Sequence, residues 1–236
     1  MTEQTLIIPG DDINISEPTS HMTLGPNILH NIENNNLIPT TSGFLNVQTK
    51  KNNTIYYIES NTKRYIPNVN DFVIGTVVGT ISENYRVSLN DFSTTVLLNQ
   101  LAFPNATKKN RPFLKTGDLI YARVLRSDPD LEVELDCIDP TTGKEGGFGL
   151  LNGGLNFNVK LAFARYLLFN SNAEILNKLV SKCQFEIAIG VNGKIWLKTD
   201  DLKTTIACMT SIQQSQNWSK SEISNKVDAI FKSSGL

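Results

Sequence analysis

The 236-residue sequence predicts a multidomain chain, mainly β and then α+β. It reads as a small N-terminal β module (1–62), a small five-stranded closed barrel (63–142) and a C-terminal α+β domain (143–236). Three observations predict this. Between Arg64 and about Asp139 the apolar pattern is almost purely of period two, the signature of half-buried strands. Past residues 143–154, which hold six of the fifteen glycines, the pattern takes a helical period. Charge also changes in blocks: residues 1–62, 63–126, 127–146 and 147–236 carry net −4, +5, −6 and +4, so the overall −1 conceals the organisation.

Residues 1–62 are rich in Asn, Thr, Ser and Pro, with Asn34-Asn35-Asn36 as a low-complexity tip. Strands are expected at Gly43–Thr49 and Thr54–Glu59, where Phe44, Leu45, Val47, Ile55, Tyr57 and Ile58 supply β-favouring side chains. A module of this size buries little surface alone, so it is expected to lean on a neighbouring domain or a partner. The barrel segment starts with a strand from Asp71 to Ile81, then Tyr85–Leu89. The opening pattern recurs 47 residues on, as Asp118–Val124. Asp130 to Cys137 alternates throughout, with Leu131, Val133, Leu135 and Cys137 on one face and Asp130, Glu132, Glu134 and Asp136 on the other. A sheet this small must bury one face and hide its edges, which favours closure. In the last segment, helices are expected around Leu161–Leu168 and Ile175–Val180. Strands Phe185–Ile189 and Lys194–Lys198 are joined at Asn192-Gly193, a strong hairpin signal. Asp200 opens a helix through Ile212, and Ser219 with Glu222 forms a capping box before the stripe Ile223, Val227, Ile230 and Phe231.

Several chemistries are excluded. His21 and His30 have no Cys, Asp or Glu pair nearby, and Cys137, Cys183 and Cys208 stand 46 and 25 residues apart, so no zinc ligand set exists. The cysteines read as buried free thiols of a reducing compartment. No serine or cysteine triad can be assembled around these histidines, and no catalytic residue, metal or cofactor is expected. The acidic row 130–136 runs in line along one strand, whereas metal ligands converge from different elements; it reads as a solvated, pairing-resistant face. Gly147-Phe148-Gly149 lacks the further glycine of a dinucleotide fingerprint, and Gly143-Lys144 is followed by Glu145 rather than Ser or Thr. The N-terminal apolar run Leu6–Ile8 ends at Pro9-Gly10 without a basic start, and no run of 18 apolar residues occurs. A soluble intracellular protein with no membrane contact is expected.

The densest basic cluster is Lys108-Lys109-Asn110-Arg111, in the long loop between the two halves of the barrel. Arg86, Lys115, Arg123 and Arg126 share its segment, interleaved with Tyr85, Phe103, Phe113 and Tyr121. Single-strand binders pair cations, which follow phosphates, with aromatic faces, which stack on bases. The candidate RNA-binding residues are Lys108, Lys109, Arg111, Arg86, Tyr85 and Arg123. Gly190-Val191-Asn192-Gly193 has the GxxG spacing of a KH clamp, but such a clamp joins two helices and these flanks are strands. Gly190, Asn192 and Gly193 are read as a structural turn between domains.

At these residues the sequence resembles a known family. Asp71–Val77, Tyr85–Leu89 and Gly117–Val124 are similar to the S-one RNA-binding domain, an OB-type barrel. It precedes a KH-like domain whose motif reads GxNG, followed by Lys194-Ile195-Trp196. Further similar words are Pro9-Gly10-Asp11, Leu24-Gly25-Pro26, Arg64–Pro67, Asn70–Gly75, Ala102–Ala106, Lys108–Pro112 and Leu161–Arg165. Together, in this order, they resemble the non-catalytic S-one/KH cap subunits of the eukaryotic RNA exosome. The resemblance implies an RNA-binding, non-enzymatic subunit that bridges RNase PH-like ring subunits. It implies partners among other S-one cap subunits and an associated exoribonuclease, and guidance of single-stranded RNA into a central channel for rRNA processing, surveillance and mRNA turnover. The N-terminal module and the KH-like domain would then supply partner contacts, with Phe44, Phe157 and Trp218 as candidate anchors that are otherwise ordinary core. A nuclear, nucleolar and cytoplasmic location follows from the resemblance, as does a GxNG turn packed between the two domains. The sequence departs from commoner S-one repeats at Tyr85-Arg86-Val87, where a glycine-aromatic turn is usual, which shifts the expected phosphate contacts to Lys108, Lys109 and Arg111. A free-standing S-one/KH factor of RNA processing or translation is the alternative; a metal-dependent nuclease is the third and weakest reading.

Overall fold

Alternation decides the strands. In the segment Asn53–Glu59 every second side chain is buried (Thr54, Tyr56 and Ile58), which fixes one face inward. The computed structural model describes residues 5–13, 21–50, 53–60, 62–128, 130–144 and 146–235. The chain divides into two units, 1–62 and 63–236.

The first unit contains β1 (Thr5–Ile7), β2 (His21–Leu24), β3 (Ile28–Asn31), β4 (Asn36–Pro39), β5 (Gly43–Lys50) and β6 (Asn53–Glu59). Its sheet runs β1-β5-β6-β2 with β2 parallel to β6, and β3 and β4 form a separate hairpin. Ile7, Ile13, Ile28, Leu37, Tyr56 and Ile58 make a core of its own. Only β5 and β6 were legible in the sequence; the shorter strands sit in Asn-rich text that carries no period.

In the second unit the first strands are β7 (Phe72–Ile81), β8 (Asn84–Ser88), β9 (Val96–Asn99), β10 (Leu119–Arg126) and β11 (Glu134–Asp136). They close in the order β7-β8-β9-β11-β10, with β10 returning to β7 and β9 parallel to β11. This is the expected five-stranded OB-type barrel, filled by Val73, Val77, Val87, Leu89, Leu98, Ile120, Val124 and Leu135 among others. The acidic strand is shorter than its alternation suggests. Residues 130–133 lie outside it, the Leu131 N–H turns back to the Asp128 carbonyl, and Leu131 is 56 % exposed. Nor is Asp136 a solvated carboxylate, since it pairs with Arg123 at 3.2 Å. A further strand, β12 (Gly149–Leu151), lies beyond residue 142 yet extends the sheet by pairing with β10.

The remainder comprises β13 (Leu155–Asn158), α1 (Leu161–Phe169), α2 (Glu174–Val180), β14 (Glu186–Ile189), β15 (Lys194–Lys198), α3 (Leu202–Ser215) and α4 (Lys220–Ser233). It is the KH-like α+β region, with sheet order β13-β15-β14. Ile195 and Leu197 of β15 pack with Leu167, Ile175, Leu179, Ile212, Val227 and Phe231 from the four helices. Asp201, one residue after the expected Asp200, caps α3 by accepting from the Thr204 N–H. In the expected capping box of α4, the Ser219 N–H donates to the Glu222 carboxylate at 3.1 Å. All three cysteines are free thiols. Cys183 is only half-buried, and its sulfur lies 3.4 Å from that of Cys208, a proximity their 25-residue spacing conceals.

Helices α2 and α4 are clasped by one carboxylate: Asp228 accepts from Lys178 at 3.1 Å and forms an ion pair with Lys182 at 2.8 Å. The Lys182 and Lys178 ammonium groups hold its carboxyl below the usual carboxylate range. A depressed native pKa contributes stability that is present above the unfolded value of about 4 and is lost as pH falls through the native one. Urea unfolding at pH 7 and in acid should therefore show Asp228→Asn less stable than the parent at neutrality. The difference should vanish as acid protonates the parent's carboxylate.

Candidate nucleic-acid interface

The basic cluster sits at the tip of a turn. Backbone hydrogen bonds run both ways between Thr107 and Asn110 (2.9 and 3.0 Å), so Lys108 and Lys109 are its two central residues. Both side chains are exposed. Arg111 follows; its guanidinium donates to the Gln100 side chain, itself buried beside β9. Beneath the turn, Phe103 and Leu114 are buried in the barrel core, one on each side of the cluster. The loop is therefore fastened at its base and cationic at its tip, an arrangement suited to polyanion contact without base readout.

The other three candidates lie elsewhere. Tyr85 is 3 % exposed, and its ring belongs to the barrel core, so it has no face to offer a base. Its hydroxyl donates to the Pro112 carbonyl at 2.7 Å and accepts the Leu114 N–H at 3.3 Å. Arg123 is 8 % exposed, and its guanidinium is committed to Asn70 (2.8 Å) and Asp136 (3.2 Å), which removes it from a phosphate's reach. Arg86 is half-buried on β8 between β7 and β9, with its Nε buried and without a hydrogen-bond partner among the described residues. The expected cluster of six thus resolves into an exposed turn with Arg111 beside it, one internal fastener and two strand arginines. Sequence reasoning missed Gln100 and the fastening role of Tyr85, because neither a buried amide nor a buried phenol carries a spacing signal. Of the candidate partner anchors, Phe44 is 44 % exposed, Phe157 is core, and Trp218 is half-buried under Lys226.

The GxNG turn joins the KH-like sheet to the barrel. The Asn192 carboxamide accepts the Ile74 N–H at 3.2 Å and donates to the carbonyls of Ile74 (2.8 Å) and Leu89 (3.0 Å). The Val191 N–H donates to the Phe72 carbonyl at 2.8 Å, and the Val191 side chain enters the barrel core. Gly190 tolerates no Cβ: one would press on the Asn192 carboxamide and come within 2.8 Å of the Ile74 nitrogen. Gly193 has φ +80°, and a Cβ there would lie 2.7 Å from the Val159 carbonyl oxygen. Next to this turn, Trp196 packs with Ile74, Leu119 and Tyr121 of the barrel while its indole N–H donates to Gly153 at 2.7 Å. The Tyr121 hydroxyl donates to the Ile189 carbonyl at 3.3 Å, and burial pushes its pKa up to about 12.

A closed five-stranded barrel with an exposed basic turn, locked to a KH-like domain, defines an OB-barrel/KH class of nucleic-acid-binding protein. Family models match residues 65–149 (exosome complex component RRP40, S1 domain), 154–203 (KH domain) and 22–64 (exosome complex exonuclease Rrp40 N-terminal domain). The exosome complex component RRP40 of Saccharomyces cerevisiae is 47 % identical over 89 % of this chain and 88 % of its own, and the chain belongs to the RRP40 family. The Schizosaccharomyces pombe relative is 39 % identical over 91 % of this chain and 89 % of its own, and the Homo sapiens relative 36 % over 70 % and 63 %. A solved protein, provisionally assigned as an exosome complex RNA-binding protein, shares the fold at 21 % identity and a TM-score of 0.57, covering 71 % of this chain and 97 % of its own.

Replacing Asn192 by Ala leaves the Ile74 N–H and C=O and the Leu89 C=O without their partner. At about 1–3 kcal/mol for a buried unsatisfied group, the loss should be on the order of 3 kcal/mol, read as a lower urea midpoint. Asn192→Asp should fare no better at pH 7, because a carboxylate cannot donate to the two carbonyls.

Proposed function

We propose that the chain is a non-catalytic RNA-binding cap subunit of an RNA exosome. In this reading it bridges RNase PH-like ring subunits, works beside other S1 cap subunits and guides single-stranded RNA into the central channel toward an associated exoribonuclease. The processes served are rRNA processing, RNA surveillance and mRNA turnover, in the nucleus, nucleolus and cytoplasm. Membership of the RRP40 family supports assembly into that complex. The observation that carries the RNA role is the turn at Thr107–Asn110, whose two central lysines are exposed while its base is held by buried side chains. Such a turn reaches phosphates, so binding is sequence-tolerant and salt-sensitive. In this reading the chain carries no chemistry of its own, so purified chain with magnesium should leave labelled RNA at full length.

Purification of a tagged copy from its own cells, with mass spectrometry of what co-elutes, should recover a stoichiometric RNase PH-like ring, other S1 proteins and a nuclease. Elution alone, or with ribosomal particles only, overturns the cap reading in favour of a free-standing RNA-binding factor. Changing Lys108, Lys109 and Arg111 together to Glu should leave folding and ring assembly intact and weaken RNA protection by the assembly. The salt dependence should flatten as well, by about 0.7 in log–log slope for every phosphate that is no longer neutralised.

A further inference from the structure

Phe113 is 82 % exposed, a large aromatic face turned to solvent two residues after Arg111 and two before Lys115. Its backbone neighbours are held: the Pro112 carbonyl accepts from the Tyr85 hydroxyl, and the Leu114 N–H donates to the Tyr85 hydroxyl oxygen. Leu114 is buried in the barrel core and Tyr85 beneath it, while proline fixes its own φ just ahead of the ring. The ring is therefore exposed on a backbone clamped from both sides, and ordering it on a ligand costs less than ordering a free loop. Lys109 lies four residues upstream, so the two Cα atoms are at most about 14 Å apart. Other exposed rings lack this setting. Phe92, 97 % exposed, follows the carboxylate of Asp91, and Phe169 ends helix α1 beside Asn170.

We propose that Phe113 is a stacking platform for an unpaired RNA base, and that the buried Tyr85 hydroxyl is the positioning residue that holds it out. This rests on the RNA-binding reading above: the lysine turn holds the phosphates and Phe113 takes the base beside them, a pairing that adds affinity without selecting sequence, since every base has a π-face. Cations alone give no preference for RNA bases over a bare sugar-phosphate chain; an aromatic platform does.

The test uses the purified assembly containing the full chain, with single-stranded RNA carrying 5-iodouridine, which photocrosslinks to aromatic rings stacked on it. The parent should yield a crosslink on the peptide containing Phe113. Phe113→Leu should lose it and Phe113→Tyr should keep it. Phe113→Ala should weaken binding of ordinary RNA by at least about 5-fold, the lower end for a lost stack, and leave binding of an abasic oligomer unchanged. Tyr85→Phe, which keeps the ring in the core but strands the Pro112 carbonyl and the Leu114 N–H, should lower the crosslink yield, speed hydrogen exchange at the Leu114 amide and lower the melting temperature by a few degrees with the barrel still folded. RNA that binds and crosslinks elsewhere but never at Phe113 overturns the platform. An unaltered yield in Tyr85→Phe overturns the positioning role alone. If the triple Lys108, Lys109 and Arg111 to Glu assembly also binds RNA like the parent, or the parent assembly binds none, the RNA reading of this loop has failed with it.

Discussion

One side-chain amide holds the second unit together. Asn192 satisfies both polar groups of Ile74 and the carbonyl of Leu89, so a turn of the KH-like sheet completes the hydrogen bonding of two barrel strands. Buried polar groups demand partners, and a carboxamide is the neutral side chain that can accept from an N–H and donate twice at one point. Gly190 and Gly193 follow from that demand, because the backbone must come close enough for the amide to reach. Trp196 and Val191 then fill the apolar space on the barrel side. The KH-like sheet thus has helices on one face and a barrel on the other. Its glycine motif, consumed by the joint, is not free to clamp a nucleic acid, and the lysines of the candidate interface sit on the barrel's loop instead.

That loop separates two duties that residue type alone merges. Tyr85, Gln100, Phe103 and Leu114 are buried and fasten the loop, whereas Lys108, Lys109 and Phe113 face solvent. Arginine illustrates the difference. Arg123, in the same basic segment, is spent on Asp136 and Asn70, because a buried guanidinium must be paired where it lies. A positive segment charge therefore overstates the charge available to a ligand.

Where one face of an element is wet and the other dry, the sequence announces it, and β6, β7, β10, α3 and α4 were legible for that reason. Strand β9 was not, since Val96–Asn99 is too short for a period to register. The row from Asp130 to Asp136 misled in the opposite sense. Perfect alternation extended the strand through Leu131, although the backbone there turns toward Asp128. β15 carries Ile195, Trp196 and Leu197 in a row between two lysines because it is covered on both sides, a fact that belongs to tertiary packing alone. At the site, the exposed lysines were legible as a cluster. The buried groups that hold them were not, because Tyr85 reaches Pro112 across 27 residues and nothing local records it.

The Asn192 joint also has a direction in time. Its acceptors are translated first: Ile74 precedes Asn192 by 118 residues and Leu89 by 103. At about 5–20 residues per second, β11, the last barrel strand, leaves the ribosome roughly 3–11 s before the amide that completes the joint. Over that interval Ile74, Leu119 and Tyr121 have no Trp196 above them. The nascent barrel carries an uncovered apolar face whose lifetime is set by the pace of elongation, and slow codons between these segments would lengthen its exposure to chaperones and to other unfinished chains.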